Sequence, residues 1–379
     1  MRRILAVALL VLLWRPIHAS DRDIQTILAE LTEITGWKAT RTIRQESMDR
    51  DGLRRYLEKR MKEAVKPKDL RAEELTLKKF GFVPRDFDLR KTTIDLLTEQ
   101  AAAFYDYRKK KLFLLSWSPS AMEQSLLVHE LAHALADQHV HLERFIQRES
   151  NDDGAIARMA VMEGQASWLM AEHLARQSGQ SLKTAPALLE MVARADTSAE
   201  QFPVLANAPL YIQESLLFPY TAGIRFQNAL YQELGRAAFA EVFRKPPLSS
   251  QQIIHPDLYR KGLKPTSPRL PELISTRGYR VLAEGSIGEL DHSILLRQYA
   301  GQDAAGRVAP RWRGGAYRLM EHKAGPIALL YVSEWADAET AAEFFRLYQQ
   351  VLRKKWRRVE ITLEANDRFA GKSEDGYFL

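Results

Sequence analysis

Two histidines four residues apart, with a glutamate after the first, are the residues of this 379-residue chain that point most directly to chemistry: His129-Glu130-Leu131-Ala132-His133. On a helix, positions four apart lie one turn above each other, so His129 and His133 present two imidazoles on one face. That arrangement suits a zinc ion, and Glu130 stands where it can take a proton from a water the metal acidifies. The five-residue pattern is common by chance, so its surroundings decide what it means.

A catalytic zinc keeps three protein ligands and one open position. The nearby candidate for the third ligand is His139, at the spacing His-Glu-x-x-His-x-x-Gly-x-x-His, but Ala136 stands where that pattern has glycine. Alanine favours continued helix, which turns His139 roughly 240° around the axis from His133. The distant candidate is Glu163, the only acidic residue between Gly154 and Met170. A carboxylate inside an apolar helix needs a partner, either the two histidines or a cation such as Arg158.

These residues must be held by the elements around them. Ala101–Tyr107 reads as a strand, Arg108-Lys109-Lys110 as a turn and Lys111–Leu115 as the returning strand. Ser118 fits a helix N-cap, with Pro119 at the first helical position, and the helix runs to about Val140. Its centre is apolar on nearly all sides, which predicts burial. A polar break over 148–154 leads into a second long helix, about 155–177, that carries Glu163. Further helices are expected over 182–194, from Phe218-Pro219 to about 234, and over 237–243. Beyond about 280, strands at 278–285, 327–333 and 356–363 mix with helices at 286–299 and 338–354, the last capped by Asp337. The expected fold is therefore α+β and mainly helical. Its parts are a leader over 1–19, a helical N-terminal region over 20–100, a core over 101–270 and a small α+β module over 280–379. The N-terminal region reads as scaffold with a possible role over the cleft.

Composition narrows the function. Met1-Arg2-Arg3, an apolar run from Ile4 to Trp14 and a small residue near Ala19 describe a secretory signal peptide. The run is shorter than the roughly 20 residues needed to span a bilayer, so no stable membrane span is expected once it is removed, a signal anchor being the alternative. The formal charge is +7. Arg2, Arg3 and Arg15 contribute three of those charges, leaving +4 for the rest, and no basic stripe suggests a nucleic-acid partner. There is no cysteine, so thiol ligands, cysteine nucleophiles and disulfides are all excluded.

The chain resembles zinc metallopeptidases of the gluzincin type, with His-Glu-x-x-His on one helix and a glutamate ligand on the next. More narrowly, it resembles a group of poorly characterised exported bacterial proteins. The matching residues are Phe104-Tyr105-Asp106, His129–Gln138 with its His-Ala-Leu-x-Asp-Gln ending, and Glu163-Gly164-Gln165-Ala166. The resemblance implies a zincin-like core built of an edge hairpin, the motif helix and a second ligand helix. It also implies Zn2+ held by His129, His133 and Glu163, with Glu130 as general base acting on a peptide or protein substrate. Thermolysin-type members carry an aspartate four residues after the ligand glutamate, where this chain has Ser167. Asp137 is the expected substitute partner for a ligand imidazole. Tyr220, His255 and Tyr259 are candidates for a donor to the oxyanion. An exported, periplasmic or secreted location follows, and the competing expectation is a catalytically inactive envelope-binding or assembly protein with the same fold.

Overall fold

Apolar residues at Ile24, Ile27, Leu28, Leu31 and Ile34 give helix α1 (Asp21–Thr35) one buried face. A computed structural model describes residues 21–116, 123–148, 151–194, 201–272 and 277–379; the N-terminal leader and the Ser118-Pro119 helix start lie outside the described residues. After α1 come β1 (Arg44–Met48), α2 (Arg50–Ala64), α3 (Pro67–Phe80) and α4 (Leu89–Gln100). Asp49 and Asp88 cap α2 and α4 by accepting from the backbone N–H groups of Gly52 and Lys91. The expected hairpin follows as β2 (Ala103–Asp106) and β3 (Lys111–Leu115), with Lys110 turning at φ 55°. Next are α5 (Glu123–Val140), α6 (Leu142–Gln147) and α7 (Asp152–Gln177). Asn151 caps α7 at the polar break by accepting from the N–H groups of Asp153 and Gly154.

The helices α8 (Pro186–Val192), α9 (Pro203–Ala206), α10 (Leu210–Leu234), α11 (Ala237–Arg244), α12 (Ser250–Ile254) and α13 (Pro256–Arg260) follow. Two of these differ from expectation. The 182–194 segment is helical only from Pro186, whose ring suits the first helical position. By contrast, α10 begins eight residues before Phe218 and carries Pro219 in its interior, so that proline does not mark a helix start here.

The chain divides into two units. Among the described residues, one comprises those within 21–70, 88–208 and 212–263, and the other those within 71–87, 209–211 and 264–379. In the first, β3 is the middle strand of a three-stranded sheet in the order β1-β3-β2, parallel to β1 and antiparallel to β2. The polar, exposed sequence Arg44-Gln45-Glu46-Ser47-Met48 gave no strand signal. The N-terminal residues therefore do not form a region of their own. α1 shares one core with α5 and α7, in which Ile27 and Leu31 sit with Leu131, Leu135, Trp168 and Leu169. α7 and α10 meet at a pair of glycines. A Cβ on Gly164 would fall 2.1 Å from the carbonyl carbon of Gly223, and one on Gly223 would fall 2.3 Å from the Ala160 carbonyl oxygen.

The second unit contains β4 (Tyr279–Ser286), α14 (Glu289–Ala300), α15 (Gln302–Val308), β5 (Trp312–His322), β6 (Ile327–Trp335) and α16 (Ala338–Lys354). A closing meander of β7 (Val359–Glu364), β8 (Phe369–Ser373) and β9 (Gly376–Phe378) completes it. Asp337 caps α16 as expected, accepting from the Thr340 N–H. β5, which was not expected because Gly314 and Gly315 interrupt its apolar pattern, is the central strand of β4-β5-β6. The whole is α+β and mainly helical. Among the described residues no helix is long and apolar enough to cross a membrane.

Candidate metal centre

The apolar surroundings that bury α5 also bury its polar residues: His129, Glu130 and His133 are each less than a tenth exposed. Their partner is on α7. Glu163 Oε2 lies 3.2 Å from His129 Nε2 and 3.1 Å from His133 Nε2, and the two Nε2 atoms are 3.1 Å apart. Three donor atoms thus form a nearly equilateral triangle in the protein interior. Tetrahedral zinc with bonds of about 2.0–2.1 Å would separate its ligand atoms by roughly 3.3 Å, so the residues fit a small divalent ion. This buried His-His-Glu group could hold a metal ion.

Burial alone would raise the Glu163 carboxyl, but the charge on His133 and the hydrogen bonds of both imidazoles outweigh it and hold the group at about 2. Glu130 belongs to the same cleft but not to the triangle. Burial pushes it up to about 8, with the Glu163 charge adding and His133 and the Tyr105 N–H opposing. That N–H, on the edge strand β2, donates to Glu130 Oε2 at 2.6 Å. The cleft has a volume of about 40 Å³, enough for a water or two. Its lining includes Tyr56, Arg60, Tyr105, Asp106 and Tyr107 besides Glu130, His133 and Glu163.

The rival partners are placed elsewhere. His139 points its Nε2 to the Lys38 carbonyl, 2.9 Å away, and its ring stacks on Trp37. Arg158 donates to the Phe145 carbonyl at 3.0 Å. Asp137 requires a correction, because its carboxylate is taken up by groups other than the imidazoles. Oδ2 accepts from the Tyr105 hydroxyl at 2.9 Å and from Lys110 Nζ at 2.6 Å, and Oδ1 accepts from the Leu142 N–H at 3.0 Å. It holds Tyr105, whose own amide holds Glu130. Among the described residues, His129 Nδ1 is buried with no hydrogen-bond partner, and so is the Ser167 hydroxyl.

Of the three oxyanion candidates, only Tyr220 comes to the cluster. Its ring centroid lies 6.1 Å from that of His129, and its hydroxyl is buried without a hydrogen-bond partner of normal geometry. Burial and the Glu163 and Glu130 carboxylates raise the phenol, so it stays an O–H donor. Gly164 and Gly223 explain the approach, because their contact lets α10 bring Tyr220, one turn before Gly223, toward the residue preceding Gly164. Tyr259 is committed differently: its hydroxyl donates to the Lys245 carbonyl at 2.7 Å and its ring packs on Phe226. His255 sits at the joint between α12 and α13, and none of the three, Tyr220 included, is among the residues that line the cleft.

Sequence reading missed Tyr105, Tyr56 and Arg60. The first acts through its backbone amide, which leaves no mark in residue type. The other two lie four apart on α2, next to its buried Leu53, Leu57 and Met61 stripe, in a region read only as helical scaffold. No protein-family model, curated protein or solved structure matches this chain.

Proposed function

We propose that this chain is an exported zinc metallopeptidase of the gluzincin type, with a zincin-like core formed by the β2–β3 hairpin, α5 and α7. The observation that carries the reading is the position of Glu130. It is a buried carboxylate that stands outside the ligand triangle yet lines the same cleft, and a site built only to hold a metal has no use for it. A zinc ion held by His129, His133 and Glu163 would polarise a peptide carbonyl and acidify a water.

The chain's own residues supply the rest. Glu130 takes the proton from the attacking water and delivers it to the leaving amine. Tyr220 carries the hydroxyl that can donate to the developing oxyanion. The outer edge of β2, bonded to β3 on its other side only, accepts an extended peptide as a further strand. Such pairing competes for the Tyr105 N–H and leaves Glu130 free to act.

Protein purified without chelator should carry about one zinc per chain by elemental analysis. His133→Ala should lose it, whereas Glu130→Gln should keep it and lose hydrolysis of a broad peptide library by about 10²–10⁴-fold. Full metal content in His133→Ala would sink the ligand assignment. A zinc-loaded wild type that cleaves nothing in the library would favour the envelope-binding reading.

A further inference from the structure

The cleft contains a cation that the chemistry above leaves unused. Arg60 projects from α2 one turn after Tyr56 and lines the same cleft as Glu130, His133 and Glu163. Its Nε is buried without a hydrogen-bond partner, and among the described residues no carboxylate pairs with it. The cations of the β2–β3 turn are engaged. Lys110 pairs with Asp137, Arg108 with Glu143 and Lys111 with Glu46, while Lys109 lies over the Tyr56 ring. The acids of the cleft are engaged as well. Asp106 accepts from the Tyr56 hydroxyl and from the N–H groups of Arg108 and Lys109, Glu163 faces the imidazoles, and Glu130 accepts from Tyr105.

A half-buried guanidinium without a counter-ion is costly unless something completes it, and its planar fork matches a carboxylate in two-point fashion. On the peptidase reading just given, we propose that Arg60 binds a carboxylate of the substrate close to the scissile bond, which makes peptides that present a carboxylate there the preferred substrate class. That carboxylate is either the free C-terminus or an acidic side chain. Arg60 is then a specificity-determining residue: it selects the substrate and takes no part in proton transfer.

The test uses the full zinc-loaded chain and four peptides that share one cleavage site, with an acidic or neutral residue beside the bond and a free or amidated C-terminus. The wild type should favour one carboxylate source by about 10–100-fold in kcat/KM, as expected for a charge-assisted hydrogen bond made or lost. Arg60→Gln should erase that preference mainly through KM, with zinc content and cleavage of the neutral amidated peptide unchanged. Arg60→Lys, which keeps the charge but not the fork, should restore part of it. Calorimetric binding of the same four peptides to Glu130→Gln, with and without Arg60→Gln, gives a readout that needs no turnover. Affinity that depends on neither the acidic side chain nor the free C-terminus, affinity unaffected by Arg60→Gln, or no binding of any peptide would overturn the proposal. Arg60-dependent binding by Glu130→Gln together with a wild type that hydrolyses nothing would leave the carboxylate site standing and remove the peptidase reading.

Discussion

His129 and His133 face Glu163 through their Nε2 atoms, so each imidazole that binds a metal there must carry its proton on Nδ1. For His129 that N–H has no acceptor among the described residues, so the ring is held by packing, including against the Tyr220 ring. Tyr220 therefore has two separable roles, one for its ring and one for its hydroxyl. Tyr220→Phe keeps the ring, and should retain zinc and stability while lowering kcat by about 10²–10³-fold in steady-state kinetics, the effect of removing one oxyanion donor. An unchanged kcat would confine the hydroxyl to the ground state. At this scale the clustering of His129, His133 and Glu163 was legible, because His-Glu-x-x-His has a helical spacing and Glu163 is a lone acid among apolar neighbours. The supporting contacts were not. Asp137 has a spacing that suits a ligand partner, but β2 and Lys110 reach its carboxylate from the hairpin, and chain pattern on one helix says nothing of what arrives from another element.

Among the elements, the crossing of α7 and α10 is the one most directly tied to the centre. Gly164 follows Glu163 of the His-His-Glu cluster, and its missing side chain is what lets the Gly223 backbone approach. Gly164→Ala would place a methyl 2.1 Å from the Gly223 carbonyl carbon, a contact that only separation of the helices relieves. It should destabilise the protein by about 1–3 kcal/mol, as overpacking does, despite alanine's higher helix propensity. Chemical denaturation would check this, with Gln165→Ala on the same helix as a comparison for general damage. A stabilised Gly164→Ala would show that propensity outweighs the clash. The glycine of the Glu-Gly-x-Ala motif thus has a packing reason, which its sequence context alone did not provide. The hairpin, α5 and α7 were readable from apolar periodicity and turn chemistry. β1 was not, since all but Met48 of its five residues are exposed and only its pairing with β3 makes it a strand.

For the molecule as a whole, the two units present different sensitivities. In the unit that includes residues 264–379, His292 is buried, with Nδ1 directed to the Gly288 carbonyl and Nε2 to the Tyr331 hydroxyl. Burial pushes this imidazole down to about 4, against about 6.5 in an unfolded chain. The unfolded state therefore binds the proton first. The stability gained by keeping His292 neutral is fully present above about pH 6.5 and is lost as the pH falls toward 4, at no more than about 1.4 kcal/mol per pH unit. Thermal unfolding between pH 7 and 4.5 should show this acid limb, and His292→Gln should flatten it; an identical limb in the variant would assign the effect to other groups. In the other unit, α1 contributes Ile24, Ile27, Leu28, Leu31 and Ile34 to the core that supports the motif helix, β1 forms one side of the sheet whose far edge is β2, and α2 supplies Tyr56 and Arg60 to the cleft wall. In the language of zymogens, the stretch from α1 to α2 is not a detachable guard. A protease that cut it away would remove part of the core and one wall of the cleft together, so control of this protein cannot rest on trimming that segment after the chain has folded.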